Sequence, residues 1–352
     1  MKQASPALAA HLAGPVTTLA TCWSITRRDG ASFAFTDHDQ DIVFEGATYR
    51  ARFGYARTAL TSDASLSVDN LDVDGIFDSE AITEADMRAG LFDFAEVRIL
   101  LVNWTDTSMG SLRLRRGWLG EVTLTEQGTF RTELRGLTQA LQQEIGELYS
   151  AECRADLGDT RCRVLVAPPE IGRDQSYSVG DVLRVPIAPA DPWPFGTMVF
   201  RCSLDGLTAA TQPTYSTTPG AETLDGTARF IAETALTRPA IVTAVTARTI
   251  FTAAIDGPEV EPGWFTGGLL TWITGPNAGR AVEVKTWDKT ANRIELYIPV
   301  GYAIETGHHF TLSPGCDKHF ATCKARFANV LNFRGEPLVP GVDSILSYPD
   351  AV

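Results

Sequence analysis

The chain has 352 residues, is 44% hydrophobic, and carries 30 basic against 43 acidic residues for a net charge of −13. That size and apolar content predict two or three folded domains, and the acidic balance excludes a surface that neutralises nucleic-acid phosphates on its own account. Six cysteines are too few for a disulfide scaffold in a chain this long; in a reducing compartment, clustered cysteines are more naturally metal ligands.

The N-terminal stretch "MKQASPALAAHLAGPVTTLA" has a lone Lys2, and His11, Gly14 and Pro15 interrupt its apolar runs. It is too weak for a signal peptide and too short for a membrane span, so a short helix or arm is expected, with no stable membrane insertion. "ASFAFTDHD" and "DIVFEGATYRARFG" read as two strands joined by an acidic turn, and "ASLSVDNLDVDG" alternates and then shifts phase like a bulged strand. Thr83 followed by Asp86 resembles a cap opening the helix "TEADMRA", with Gly90 as its stop. "FAEVRILLVNW" and "SLRLRRGWLGEVTLT" resume the sheet, and "EQG" before "TFRTELRG" is a hairpin turn with Gly128 at the position favouring positive φ. The expected product is a closed or nearly closed barrel. Leu137, Ala140, Leu141, Ile145, Leu148 and Tyr149 then fall on one stripe and predict an amphipathic helix ending this domain.

Beyond "VLVAPPEIGRD" the composition shifts to turn formers. "PIAPADPWPFG" and "TQPTYSTTPGAETLDGTA" read as exposed loops around the strands "YSVGDVLRV" and "TMVFRCSL". "AIVTAVTARTIFTA", "GLLTWITG", "AVEVKTWD" and "RIELYIPV", each closed by a turn signal, suit a small SH3-like barrel. Helix returns in "KHFATCKARFANV", followed by the extended "LNFRGEPLVPG". The fold expected is mainly β and multidomain with few short helices. It comprises an N-terminal β-barrel-like domain with its closing helix and first cysteine pair (1–165), a loop-rich insert (166–239), a small barrel (240–315) and a cysteine-bearing helix with an extended tail (316–352).

Two cysteine pairs flank the insert and small barrel: Cys153 with Cys162 in "CRADLGDTRC", and Cys316 with Cys323 in "CDKHFATC". Cys22 and Cys202 stand apart in apolar strands and read as small buried hydrophobes. If the two pairs meet, four thiolates could bind one centre, zinc or iron-sulfur, whose binding free energy would appear as folding stability. Arg154, Arg161, Arg163, Lys318, Lys324 and Arg326 lie close by in sequence and either offset thiolate charge or sit on the surface. Two local disulfides or four unpaired thiols are the alternative, since the spacings match no standard pattern.

"FTDHDQDIVFEGATYRA", "CRADLGDTRC", "GLLTWITGPNAGRAVEV" and "GCDKHFATCKARFANVLNFRGEP" resemble the tail hub proteins of gene transfer agents and related siphophages, over nearly the whole chain apart from about Val166 to Pro239. The resemblance implies a structural, non-enzymatic baseplate hub: a homotrimer linking the distal tail protein ring above to a large tip or fibre protein below, around a channel through which DNA passes without specific binding. It places the chain in the tail of a virion-like particle assembled in the bacterial cytoplasm, with a tail peptidase as a further neighbour. It also implies a [4Fe-4S] cluster, with zinc as the alternative, held by Cys153, Cys162, Cys316 and Cys323 as a structural staple; redox sensing is the second role considered. His308 and His309 stand where an acidic turn residue is expected and raise the question of whether a histidine approaches the cluster. A trimer between sixfold and threefold neighbours would need two similar contact surfaces per subunit, hence two alike barrels.

Two other classes compete. A tail-associated cell-wall hydrolase could use Cys323 with His319, although a cysteine that ligates a cluster is unavailable as a nucleophile. A receptor or glycan binder could use the insert's loops and Trp193. No GxSxG, HExxH or GxxxxGK[ST] occurs, and "GPNAG" is a tight turn. Asp37, His38, Asp39 and Asp41 could bind a divalent cation but read first as a solvated turn. Trp118, Trp264, Trp272 and Trp287 fall in strand patterns and are expected in cores more than on a sugar-stacking face.

Overall fold

The structure, a computed structural model, describes residues 4–51, 55–57, 71–76, 82–124, 129–136, 146–187 and 192–338. The chain divides into two compact units, Met1–Ile145 and Gly146–Val352.

The first unit opens with α1 (Pro6–Leu12), whose start is fixed by Ser5 Oγ accepting the Leu8 N–H at 3.1 Å and by proline in the first turn. Its strands are β1 (Leu19–Thr26), β2 (Ser32–Thr36), β3 (Ile42–Phe44), β4 (Ala47–Tyr49), β5 (Tyr55–Arg57), β6 (Leu71–Ile76), β7 (Glu96–Asn103), β8 (Ser111–Leu124) and β9 (Thr129–Arg135). Seven of them form an antiparallel sheet in the order β2-β1-β7-β8-β9-β6-β5. Alternation along β1 sorts the core: Trp23 and Ile25 join Phe35, Phe92, Val97 and Ile99 on one face, while Ala20 and Cys22 meet Ile42, Phe44 and Tyr49 on the other. The cap expected at Thr83 is present, its Oγ1 accepting the Asp86 N–H at 3.1 Å to start α2 (Glu84–Arg88).

Two expectations change here. "DIVFEGATYRARFG" is not one strand; the chain folds back at Glu45 and Gly46, both at positive φ (48° and 80°), giving the tight β3–β4 hairpin. Among the described residues the seven strands run from β2 to β5 without closing into a barrel, although register shifts at Ile99/Leu100 and Leu119/Val122 bend the long β8. The turn containing Gly128, most of "ASLSVDNLDVDG" and residues 137–145 of the expected amphipathic helix lie outside the described residues. Leu148 and Tyr149, assigned to that helix, are in non-helical backbone and exposed.

In the second unit, β11 (Val182–Leu183), β12 (Met198–Leu204), β15 (Ala228–Thr234) and β14 (Glu222–Asp225) form a four-stranded sheet in that order, with β10 (Ser176–Tyr177) paired to β13 (Gly206–Leu207). The segment expected to be exposed loops has its own core of Leu183, Val185, Phe200, Tyr215 and Phe230. Tyr215, from "TQPTYSTTPG", is turned inward and donates its hydroxyl to Asp225 Oδ2 at 2.6 Å. Asp225 is fully buried and also accepts from Arg173 Nη1 (2.7 Å) and the Ala209 N–H (2.8 Å), the satisfaction a buried carboxylate requires.

The barrel is closed: β16 (Arg238–Ala247), β17 (Ile250–Ile255), β20 (Arg293–Leu296), β19 (Ala281–Asp288), β18 (Leu269–Trp272) and β21 (His309–Leu312), with β21 returning to β16. Phe251, Phe265, Leu270, Trp272 and Phe310 fill it. On β19 a register shift between Val284 and Thr286 changes the phase, so Val282, Val284 and Trp287 all face inward. It is the one closed barrel among the described residues, which counts against two alike barrels as paired contact surfaces. α3 (Phe320–Phe327) follows. No helix among the described residues is long and apolar enough to cross a membrane.

Candidate metal centre

The segment after residue 146 and the segment after the barrel lie side by side, joined by backbone bonds. Cys153 N–H donates to Lys318 O (2.8 Å), Arg154 N–H to Arg334 O (3.0 Å) and Glu336 N–H to Ser150 O (2.8 Å). Side chains add to this lacing. Arg154 grips both oxygens of Glu336 at 2.7 and 2.8 Å, and Lys318 Nζ donates to Ala155 O (2.6 Å) and Asp156 Oδ1 (2.7 Å). Lys318 holds a left-handed backbone, φ 64°, uncommon for a residue with a side chain and a pointer to local constraint. Gly315 explains how the chain passes from barrel to cysteine: a Cβ there would lie 1.7 Å from Thr266 O, so no other residue fits without displacing the backbone.

This lacing brings all four predicted cysteines to the lining of one small, tightly packed cavity, with Leu157, Val164, Phe327 and Phe333 among its apolar residues. None is in a disulfide, so the reading of two local disulfides does not hold. Two sulfurs already accept N–H groups: Arg334 N–H donates to Cys153 Sγ at 3.3 Å and Asn329 Nδ2 to Cys162 Sγ at 3.6 Å. Cys323 Sγ instead donates to Asn329 O at 3.4 Å. Burial pushes the Cys323 thiol up, and Cys153, Cys162 and Cys316 push it further; burial also raises Cys316, against the opposing influence of Lys318. A cationic core would reverse that balance for Cys316 and Cys323. Four cysteine side chains lining one cavity fit a thiolate-bound centre in kind. Among the described residues, no three Cys, His, Asp or Glu side chains stand ready around a single metal ion.

The cations near the cysteines are mostly committed elsewhere. Arg154 and Arg161 pair with Glu336, Glu147 and Asp159, Arg163 Nε donates to Thr160 O, and Arg326 donates to Gly315 O and covers the Trp264 ring. Lys324 is exposed. Of the histidines, neither His308 nor His309 lines the cavity; His308 packs on Trp272, and His309 lies in β21. His319, the residue before α3, does line it.

The rival sites are not assembled. Asp37 accepts the Thr21 N–H (2.7 Å) and Asp41 the Ala51 N–H (2.8 Å), tying "TDHDQD" to neighbouring segments of the chain, and His38 packs at a tilt against Trp104. A Cys323 thiol shifted upward and bonded to a carbonyl is the opposite of an activated nucleophile. Trp272 and Trp287 are buried in the barrel, Trp264 packs partly buried against it, Trp118 is half-buried beneath Arg116, and Trp193 packs edge-on to Phe195. Cys22 and Cys202 are buried strand residues, the former with its thiol pushed up to about 11 by burial.

Sequence reasoning missed Asn329, Glu336 and Asp159. Asp159 accepts the N–H groups of Cys162 (2.6 Å) and Arg161 (2.9 Å); the signal available was an aspartate three residues before a cysteine, an Asx turn in the making. Asn329 follows directly on the helix ending at left-handed Ala328, and nothing local in the sequence distinguishes it from a plain helix end.

A family model described as "Baseplate hub protein, N-terminal attachment domain" matches residues 5–165, which include the early cysteine pair. One described as "Phage conserved hypothetical protein BR0599" matches residues 263–343, which include the late pair. Among solved structures, a chain of the "Virion of native gene transfer agent (GTA) particle" is similar over 98% of this chain and 96% of that one, with 34% identity and a TM-score of 0.69. No curated protein matches.

Proposed function

Since this chain belongs to the baseplate hub family of gene transfer agents and related phages, we propose that it links the distal tail ring to the tip protein as a homotrimer around a DNA-conducting channel. It is a component of the tail baseplate of a virion-like particle, and its role there is structural, without catalysis. The observation that carries this reading is the whole-length likeness to a virion chain. The net charge of −13 adds support, because an acidic lumen repels phosphates and lets DNA slide.

Within that hub, Cys153, Cys162, Cys316 and Cys323 hold a [4Fe-4S] cluster as a staple. The support is convergence: residues 153 and 162, separated from 316 and 323 by a sheet domain and a barrel, line one cavity, and four cysteine thiolates are the ligand set such a cluster takes. When bound, the centre supplies a multi-thiolate cross-link and a one-electron couple. The chain's own residues bring the four thiols together through the lacing, exclude water with Phe327 and Phe333, and direct N–H groups at two sulfurs.

Imaging of intact particles tests the hub: three copies are expected at the junction of tail ring and tip, and a different location or copy number would overturn it. Anaerobic purification tests the centre. Brown protein with iron and acid-labile sulfide is expected, whereas colourless protein with one zinc per chain would replace the cofactor and keep the staple.

A further inference from the structure

We propose that Asn329 is the positioning residue of the four-cysteine centre, holding one ligand from each flank and setting the electron affinity of what they bind. The inference rests on the cluster reading above. Asn329 Nδ2 donates to Cys162 O at 2.6 Å and to Cys162 Sγ at 3.6 Å. Its main chain serves the other flank: Asn329 N–H donates to Cys323 O at 3.2 Å, and Asn329 O accepts from Cys323 Sγ at 3.4 Å. One residue thus joins cysteines 161 positions apart in sequence, 162 and 323.

The geometry behind this is built in. Ala328 ends α3 in a left-handed conformation, φ 48°, which swings Asn329 off the helix axis and into the cavity lining. The carboxamide orientation is determined from both ends: Oδ1 accepts from Asn332 Nδ2 at 2.7 Å, while the other end faces a carbonyl oxygen. A flipped amide would oppose oxygen to oxygen and amine to amine. The N–H toward Cys162 Sγ is therefore a fixed feature.

Ligation changes what these bonds do. Cys323 loses the proton it now donates to Asn329 O, and Cys162 Sγ gains the negative charge toward which Nδ2 points. A donor aimed at a ligand sulfur stabilises the more negative, reduced form and raises the potential. Asn329→Asp keeps the shape, removes the donor and sets an oxygen against both Cys162 acceptors. Asn332→Ala leaves the donor but releases its orientation.

The test is a dithionite titration of anaerobically purified full-length chain, followed by visible absorbance and electron paramagnetic resonance, with iron and sulfide content measured in parallel. For Asn329→Asp the reduced-to-oxidised ratio at fixed potential should fall at least about tenfold, equivalent to about 59 mV for a one-electron couple. Asn332→Ala should shift it in the same direction by less, with iron content unchanged. If Asn329→Asp fails to load, the Asn332→Ala shift alone supports the inference, and its absence overturns it. Full loading and wild-type potentials in both variants overturn the inference while leaving the cluster reading intact. Wild-type chain without iron and sulfide overturns both.

Discussion

The barrel and the cysteine-laced region beside it are held in different ways. The barrel closes on itself around Phe251, Phe265, Trp272 and Phe310, all at or below 1% exposure, a core of the size a small domain needs. The laced region contributes only Ala155, Cys162 and Cys323 to the buried apolar set; the rest is backbone pairing, Arg154 on Glu336 and Lys318 on Asp156. The Lys318–Asp156 pair, with its carboxylate exposed, is worth little, and the half-buried, bidentate Arg154–Glu336 pair is worth more but is a single contact. A barrel can be stable by burial alone, whereas two strips of chain with so small a core would gain from a cross-link such as the proposed centre.

That contrast can be broken at its strongest point. Cys316→Ser should abolish the centre and lower amide-exchange protection across residues 150–163 and 316–336 together, by a factor of about 100 or more given the free energies of structural metal sites, while the barrel strands stay protected. Loss confined to the late segment would mean that the two flanks are independent. The reciprocal change, Phe251→Ala, should cost about 3–5 kcal/mol of barrel stability, read as a lowered melting transition, with iron content at wild-type level. A simultaneous loss of iron would show that the laced region borrows its stability from the barrel.

A smaller effect sharpens the account of how the early pair is presented. Asp159 sits at about 2, below its ordinary 3.8, chiefly because it accepts the Cys162 N–H and then those of Asp156 and Arg161. A depressed carboxylate stabilises above its unfolded value and loses that contribution as pH falls through the folded one. The Asp159 carboxyl carbon resonance should therefore titrate near pH 2, and the Cys162 turn should stay formed down to about pH 4. A midpoint near 3.8 would contradict the turn.

Much of the fold is legible in the sequence because periodicity reports which face is buried. The barrel strands and the Thr83 cap follow from alternation and capping chemistry alone. Legibility fails where a local signal is ambiguous or a contact is distant. "EG" inside an apolar alternation reads as strand until its two positive φ values make it a turn, and Tyr215 sits in a turn-rich stretch yet is drawn inward by Asp225, ten residues on. The cysteine spacings match no ligand pattern because the site is assembled across two flanks. The residues alone offered the grouping beside its disulfide alternative, family resemblance strengthened it and moved the expected centre from zinc to iron-sulfur, and Asn329 escaped both because it meets Cys162 and Cys323 only through tertiary bonds.

The most direct test is the iron and acid-labile sulfide content of anaerobically purified wild type beside single serine variants at 153, 162, 316 and 323. The account predicts about four of each per wild-type chain and a sharp loss for every variant, whichever flank it lies on. Undiminished content after removing either member of one pair would show that the flanks do not share a centre, and the staple would fall with it.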